Sequence, residues 1–109
     1  MIQMMTEKKR RNKIYARREW SEFQGQMSWF EANEKCKEIG MRLPTIAELQ
    51  LAFRTKEFNN WTVKGKCYWT KDENDYSPNY AFAFYISSGV SYDYDKSMSL
   101  DVRFIRDQE

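Results

Sequence analysis

The chain has 109 residues, a net charge of +2 and a mean hydropathy of −0.87, which is the size of one domain with a polar surface and a modest core of its own. It holds no histidine and only two cysteines. Histidine acid–base catalysis, Ser-His-Asp and Cys-His nucleophile pairs, His-ligated zinc and four-cysteine zinc sites are therefore excluded.

The charge is uneven. Residues 1–18 carry seven Lys or Arg against Glu7, and the rest of the chain carries eleven against fifteen acids. Residues 1–13 read as a basic, mobile arm and residues 14–109 as the folded domain. The run Lys8-Lys9-Arg10-Arg11 could meet an anionic partner. It lacks interleaved aromatics and a reading motif, so no specific nucleic-acid binding is expected. The first eleven residues lack the apolar core of a signal peptide, and no run reaches membrane-spanning length.

Residues 14–20 alternate weakly and end on Trp20, which predicts a first strand, and residues 21–26 with Gly25 predict a turn. Ser28 followed by Glu31 is a capping box. The helix it opens places Trp29, Ala32, Cys36 and Ile39 on its inner face and stops at Gly40. Pro44 discourages helix at Leu43. Thr45 and Glu48 form a second capping box, and Ile46, Leu49 and Phe53, with Ala52, form the inner face of the second helix.

Residues 54–66 read as a polar loop, and Trp61 within it as a lid on the core, a contact residue being the alternative. Residues 67–71 read as a short strand, and residues 72–79 as an oxygen-rich loop closed by Pro78. Residues 80–87 form the strongest strand, with Phe82, Phe84 and Ile86 on one face and Ala81, Ala83 and Tyr85 on the other. Ser88-Gly89 turns the chain into a hairpin partner, residues 90–94. Leu100, Val102 and Phe104 alternate in a last strand. The fold class is α+β.

These motifs, in this order, carry a resemblance. The run Arg42-Leu43-Pro44-Thr45-x-x-Glu48-Leu49, with Trp29-x-x-Ala32-x-x-x-Cys36, Tyr68-Trp69-Thr70 and Arg103-x-x-Arg106, resembles a bacterial C-type-lectin-like domain family of largely unassigned function, the type found at the C-terminus of collagen-like adhesins. The resemblance spans about residues 15–106. It implies two helices packed on a mostly antiparallel, twisted sheet, with ligands met by the late loops and hairpin. It makes Arg42, Pro44, Glu48, Trp69 and Arg103 framework residues. It also implies a secreted or surface location, whereas the missing signal peptide points to the cytoplasm. Relatives carry a cysteine between the two arginines of the last strand, paired with the first-helix cysteine; here that position is Phe104. Cys36 and Cys67 are expected as reduced core thiols, a bridge between helix and sheet being the alternative.

Candidate contact residues follow from chemistry and placement. Asp72, Asn74, Asp75, Tyr76 and Asn79 bring side-chain oxygen and an aromatic ring to one loop. That loop lacks the spacing and central glycine of an EF-hand, and the chain lacks the Trp-Asn-Asp triplet of calcium-dependent lectins, so neither a metal nor any other cofactor is assigned. Tyr92, Asp93, Tyr94, Asp95 and Lys96 follow the hairpin turn, with the tyrosines on one face and the aspartates on the other. Exposed tyrosines offer large rigid contact area at small entropic cost. The expected function is non-catalytic recognition of a protein or glycan, compatible with a homo-oligomer. The alternative is a cytoplasmic or phage-associated protein that binds an anionic partner through its basic arm.

Overall fold

The computed structural model describes residues 18–107. The basic arm and the first residues of the predicted first strand lie outside them. Strand β1 (Arg18–Trp20) pairs antiparallel with β7 (Ile105–Asp107), joining the two ends of the domain. Strand β2 (Gln26–Met27) leads into helix α1 (Trp29–Glu38), and helix α2 (Ile46–Arg54) follows the Arg42–Thr45 corner. A short 3-10 helix (Glu57–Asn60) interrupts the expected polar loop and carries Phe58 into the core. Then come β3 (Cys67–Glu73), β4 (Tyr80–Tyr85), β5 (Val90–Asp95) and β6 (Leu100–Asp101).

Both capping boxes form. The Glu31 N–H donates to Ser28 Oγ at 3.1 Å while the Ser28 N–H donates to Glu31 Oε1 at 3.2 Å. The Glu48 N–H donates to Thr45 Oγ1 at 3.1 Å and the Thr45 N–H to Glu48 Oε1 at 2.9 Å. Each cap stabilises its helix by about 1 kcal/mol. Gly40, at φ +69°, supplies the left-handed stop. Ile39 does not join the inner face of α1: it caps the helix and is 47% exposed. The turn swings it outward, and Met41, whose N–H returns to the Cys36 carbonyl at 2.9 Å, packs against the core instead.

The main sheet has the order β2-β6-β3-β4-β5, antiparallel throughout the described residues except where β3 pairs parallel with β6. Each face carries a core. Trp69, Ala81, Ala83, Val102 and Phe104 meet Ala32 and Cys36 of α1 on one side. Tyr68 and Phe84 meet Leu49 and Ala52 of α2, with Phe58 and Trp61, on the other. The two-residue pleat alternation divides β3 and β4 between them. Trp61 is thus the lid the sequence predicts. Gly89, at φ +75°, closes the β4–β5 turn where a Cβ would meet the Phe53 ring at 2.8 Å.

The predicted last strand divides. Only Leu100–Asp101 and Ile105–Asp107 are strand, while residues 102–104 run between them without a ladder. The side-chain alternation survives: Val102 and Phe104 enter the α1-side core, and Arg103 turns the other way, over the Trp61 ring. The β1–β2 connection supplies the backbone partners of this segment, with Ser21 N–H donating to the Phe104 carbonyl at 2.8 Å and Gln24 N–H to the Val102 carbonyl at 2.9 Å.

Candidate functional site

The segment 72–79 and the far end of the Tyr92–Lys96 segment, chosen separately from sequence, meet at one end of the sheet. Their junction is Lys96, which is only 5% exposed. Its Nζ donates to Glu73 Oε1 at 2.5 Å and to the Pro78 carbonyl at 2.6 Å, and sits 4.3 Å from the centre of the Trp29 ring. Its backbone N–H donates to the Asn79 carbonyl at 2.8 Å, and its carbonyl accepts from the Trp29 N–H at 3.0 Å. An ammonium this enclosed needs partners in place of water, and Glu73, the Pro78 carbonyl and the Trp29 ring supply them. Lys96 therefore clamps the β3–β4 loop, β5 and the start of α1 together, and it is a support for the surface, not part of it.

Asp72 also belongs to the scaffold. The register of β3 against β4 slips between Trp69 and Glu73, and the bulged strand turns toward α2. The Lys71 N–H reaches the Pro44 carbonyl at 2.8 Å, and Asp72 Oδ2 accepts from the Ile46 N–H at 2.7 Å. A carboxylate at a helix N-terminus is well placed against the helix dipole. Asp72 is thus in β3 and not in the loop the sequence assigned to it.

Asn74 shapes the loop. Its Oδ1 accepts from the N–H groups of Tyr76 at 2.8 Å and Ser77 at 3.2 Å, and its Nδ2 donates to Asp93 Oδ2 at 2.8 Å. The first two bonds close an Asx turn, and the third ties the loop to β5. Asp95 accepts from the Ser97 N–H at 2.9 Å and the Ser97 hydroxyl at 2.7 Å, which hold its carboxyl below the usual range.

The hairpin register puts Tyr92 opposite Ala83 and Tyr94 opposite Ala81, on the α1 side, while Asp93 and Asp95 lie opposite Phe82 and Tyr80. The alanines leave room for the two tyrosine rings. Tyr94 is half-buried, its hydroxyl hydrogen-bonded to that of Tyr85, and the Tyr92 ring stands edge-on to Tyr85 at 5.9 Å. The Tyr94 bond, followed by burial, pushes the Tyr85 phenol up. Tyr92 is 56% exposed and Tyr76 96% exposed. Asp75, Asn79 and Asp93 are exposed as well.

Of the ten sequence candidates, Asp75, Tyr76, Asn79, Tyr92 and Asp93 face solvent. Asn74, Tyr94 and Asp95 are half-buried supports, and Asp72 and Lys96 belong to the framework. Sequence reasoning missed Phe30, Tyr80 and Met98, which are large and exposed. Phe30 stands edge-on to Trp29 at 5.9 Å, and the Met98 N–H donates to the Asp95 carbonyl, so both flank the Lys96 clamp. Phe30 falls off the Trp29–Ala32–Cys36 stripe, and that periodicity could have identified it as outward-facing.

Among the described residues no group of three or more Asp, Glu, His or Cys is arranged to hold a metal ion. Asp72 and Glu73, the carboxylates that begin the oxygen-rich segment, already serve the Ile46 N–H and the Lys96 ammonium. Cys36 and Cys67 are free and share the α1-side core. Burial pushes both thiols up, Cys67 to about 11, which disfavours the thiolate in each. Phe104, where the resemblance expects a cysteine, packs in that same core.

With this geometry the chain is similar to a solved structure, the C-type lectin TC14 of the tunicate Polyandrocarpa misakiensis. The TM-score is 0.61 at 17% identity, over 85% of this chain and 100% of the other. The fold is C-type-lectin-like. No family model and no curated protein matches the sequence. The C-type-lectin-like expectation thus holds at the level of fold, and no helix among the described residues is long and apolar enough to cross a membrane.

Proposed function

We propose that this domain is a non-catalytic recognition module, adhesin-like in use, that binds a protein or glycan through the end of the sheet where the β3–β4 loop and β5 meet. The observation that carries this reading is the contrast around Lys96. Beneath the surface, Lys96, Asn74 and Asp95 are held by internal bonds, while Tyr76 and Tyr92 are presented to solvent above a rigid support. The Tyr92 ring is held edge-on to Tyr85, and a ring so positioned loses little entropy on contact. Exposed Asp75 and Asp93 add acceptors for sugar hydroxyls or for protein N–H groups.

The test is a glycan array and a pull-down with the purified chain, repeated with the double variant Tyr76→Ala, Tyr92→Ala. Both side chains are exposed, so the variant should keep its melting temperature and lose the ligand by tenfold or more. A folded double variant that binds as well as the parent would overturn this surface as the contact site.

A further inference from the structure

A groove built from other segments is lined by a buried cation. Arg103 is 5% exposed and makes no ion pair among the described residues. Its Nε donates to the Tyr68 hydroxyl at 3.2 Å, its Nη1 to the Ser21 carbonyl at 3.0 Å and its Nη2 to the Val63 carbonyl, and the guanidinium carbon lies 4.1 Å from the centre of the Trp61 ring. These partners are all neutral. They use three of the five N–H groups of the fork. The one buried acid nearby in sequence, Asp101, is already satisfied: it accepts from the N–H groups of Lys66 at 2.7 Å and Cys67 at 3.1 Å and from Gln26 Nε2 at 3.2 Å. A desolvated guanidinium without a counter-charge is costly, and its spare N–H pair matches an oxyanion.

The groove that Arg103 lines has about 540 Å³ of space, room for a monosaccharide or a small organic acid. Trp20 and Trp61, edge-to-face at 5.2 Å, form part of its wall, and Asn60 and Thr62 offer polar side chains. Glu22 also lines it. That single acid disfavours a dianion more than a monoanion, which separates a carboxylate from a sulfate or phosphate.

We propose that this groove is a binding site for a carboxylate-bearing ligand of monosaccharide size, with the carboxylate on the free N–H groups of Arg103 and the ring against the indoles. Such a group arises from a free hydroxy acid or from a uronic acid unit of a glycan.

The experiment is a fluorescence titration of the whole chain with sodium glucuronate, at ionic strength fixed with sodium chloride. Glucose, sodium sulfate, sodium lactate and an oligogalacturonate are the comparison probes. Glucuronate should give a saturable change in tryptophan emission and raise the melting temperature, and glucose should give neither. Lactate as effective as glucuronate assigns the free acid, and an oligogalacturonate that outcompetes both assigns the glycan. Sulfate equal to glucuronate would remove the carboxylate assignment. Because Arg103→Lys also weakens the ties to Ser21 and Val63, the deciding variant is Asn60→Asp, at an exposed position on the groove wall. It adds a second carboxylate to the groove lining and should weaken glucuronate at least tenfold with the far-UV spectrum unchanged. Equal binding by Asn60→Asp and the parent, or no saturable response to glucuronate, overturns the site.

Discussion

The Arg42 corner and the Lys96 clamp solve one problem in two ways. Each sets a cation against a carboxylate and a backbone carbonyl. In the corner, Arg42 Nη1 and Nη2 donate to the two oxygens of Glu48 at 2.8 and 2.7 Å, and Nη1 also donates to the Leu43 carbonyl at 3.3 Å. Arg42 and Glu48 lie within seven residues of sequence, inside one turn and one capping box. In the clamp, Lys96 collects Glu73 and Pro78 from the β3–β4 connection and Trp29 from the start of α1. The corner is local and joins the framework; the clamp is non-local and holds up the end of the sheet proposed for recognition. Loss of the corner should therefore be felt across the domain, and loss of the clamp only at one end.

The largest effect is expected at Glu48. Its carboxylate also accepts from the Thr45 N–H and from Arg18 Nε at 3.2 Å, so Glu48→Ala removes a cap and leaves Arg42 facing Asp107 alone at 3.4 Å. The expected cost is about 3 kcal/mol, roughly 15 °C in melting temperature for a domain of this size. Burial alone would raise the Glu48 carboxyl, but its bonds to Arg42 and the Thr45 N–H outweigh that and bring it from 4.5 to about 2. A depressed folded-state value means the unfolded chain binds its proton first. The stabilisation is thus complete above about pH 5 and is lost as pH falls toward 2. Denaturant titrations of the parent should show that loss, and Glu48→Gln, already weaker at pH 7, should show a shallower one. Equal pH slopes in parent and variant would assign the acid sensitivity to other carboxylates.

A smaller and more local effect is expected for Lys96→Met. Methionine keeps most of the unbranched stem, while the bonds to Glu73 and Pro78 and the contact of the ammonium with the Trp29 ring are lost. A loss of about 1–2 kcal/mol is expected. Hydrogen exchange should rise in residues 74–79 and 96–99 and stay unchanged around Arg42. Uniform acceleration across the domain would show that the clamp and the corner are one cooperative unit.

The same contrast explains what the sequence disclosed. The corner was legible because Arg42, Pro44, Thr45 and Glu48 act on backbone groups within their own turn, where residue type and spacing determine the outcome. Both helix starts and the β4–β5 hairpin were legible for similar reasons, and the Trp61 lid because a large apolar ring in a polar loop is seldom left in water. The clamp was not. Lys96 reads as a surface lysine beside aspartates, and only the β3–β4 loop folding over it shows that its charge is enclosed. Asp72 was misplaced because a bulge cannot be seen in a run of seven strand residues. The ladder missing from residues 102–104 was hidden by a side-chain alternation that persists without it. In the candidate site, Tyr76 and Tyr92 were found as exposed aromatics, whereas Tyr94 was not separated from Tyr92, because the alanine pockets and the Tyr85 hydroxyl lie on another strand.

The smallest expected change in stability has the sharpest functional meaning. Asn74→Ala removes the Asx turn and the bond from Asn74 Nδ2 to Asp93. Both are near the surface, so the global cost should stay near 0.5–1 kcal/mol. Yet that side chain is what fastens the loop bearing Tyr76 to the strand bearing Tyr92. If the two tyrosines act as one surface, binding must then include the cost of ordering the freed loop, about 1–2 kcal/mol for a few residues that remain partly restrained, or a five- to thirtyfold loss of affinity. The loss should appear without any change at either ring. An affinity unchanged in Asn74→Ala would mean that one tyrosine binds alone, and single substitutions at Tyr76 and Tyr92 would then identify it.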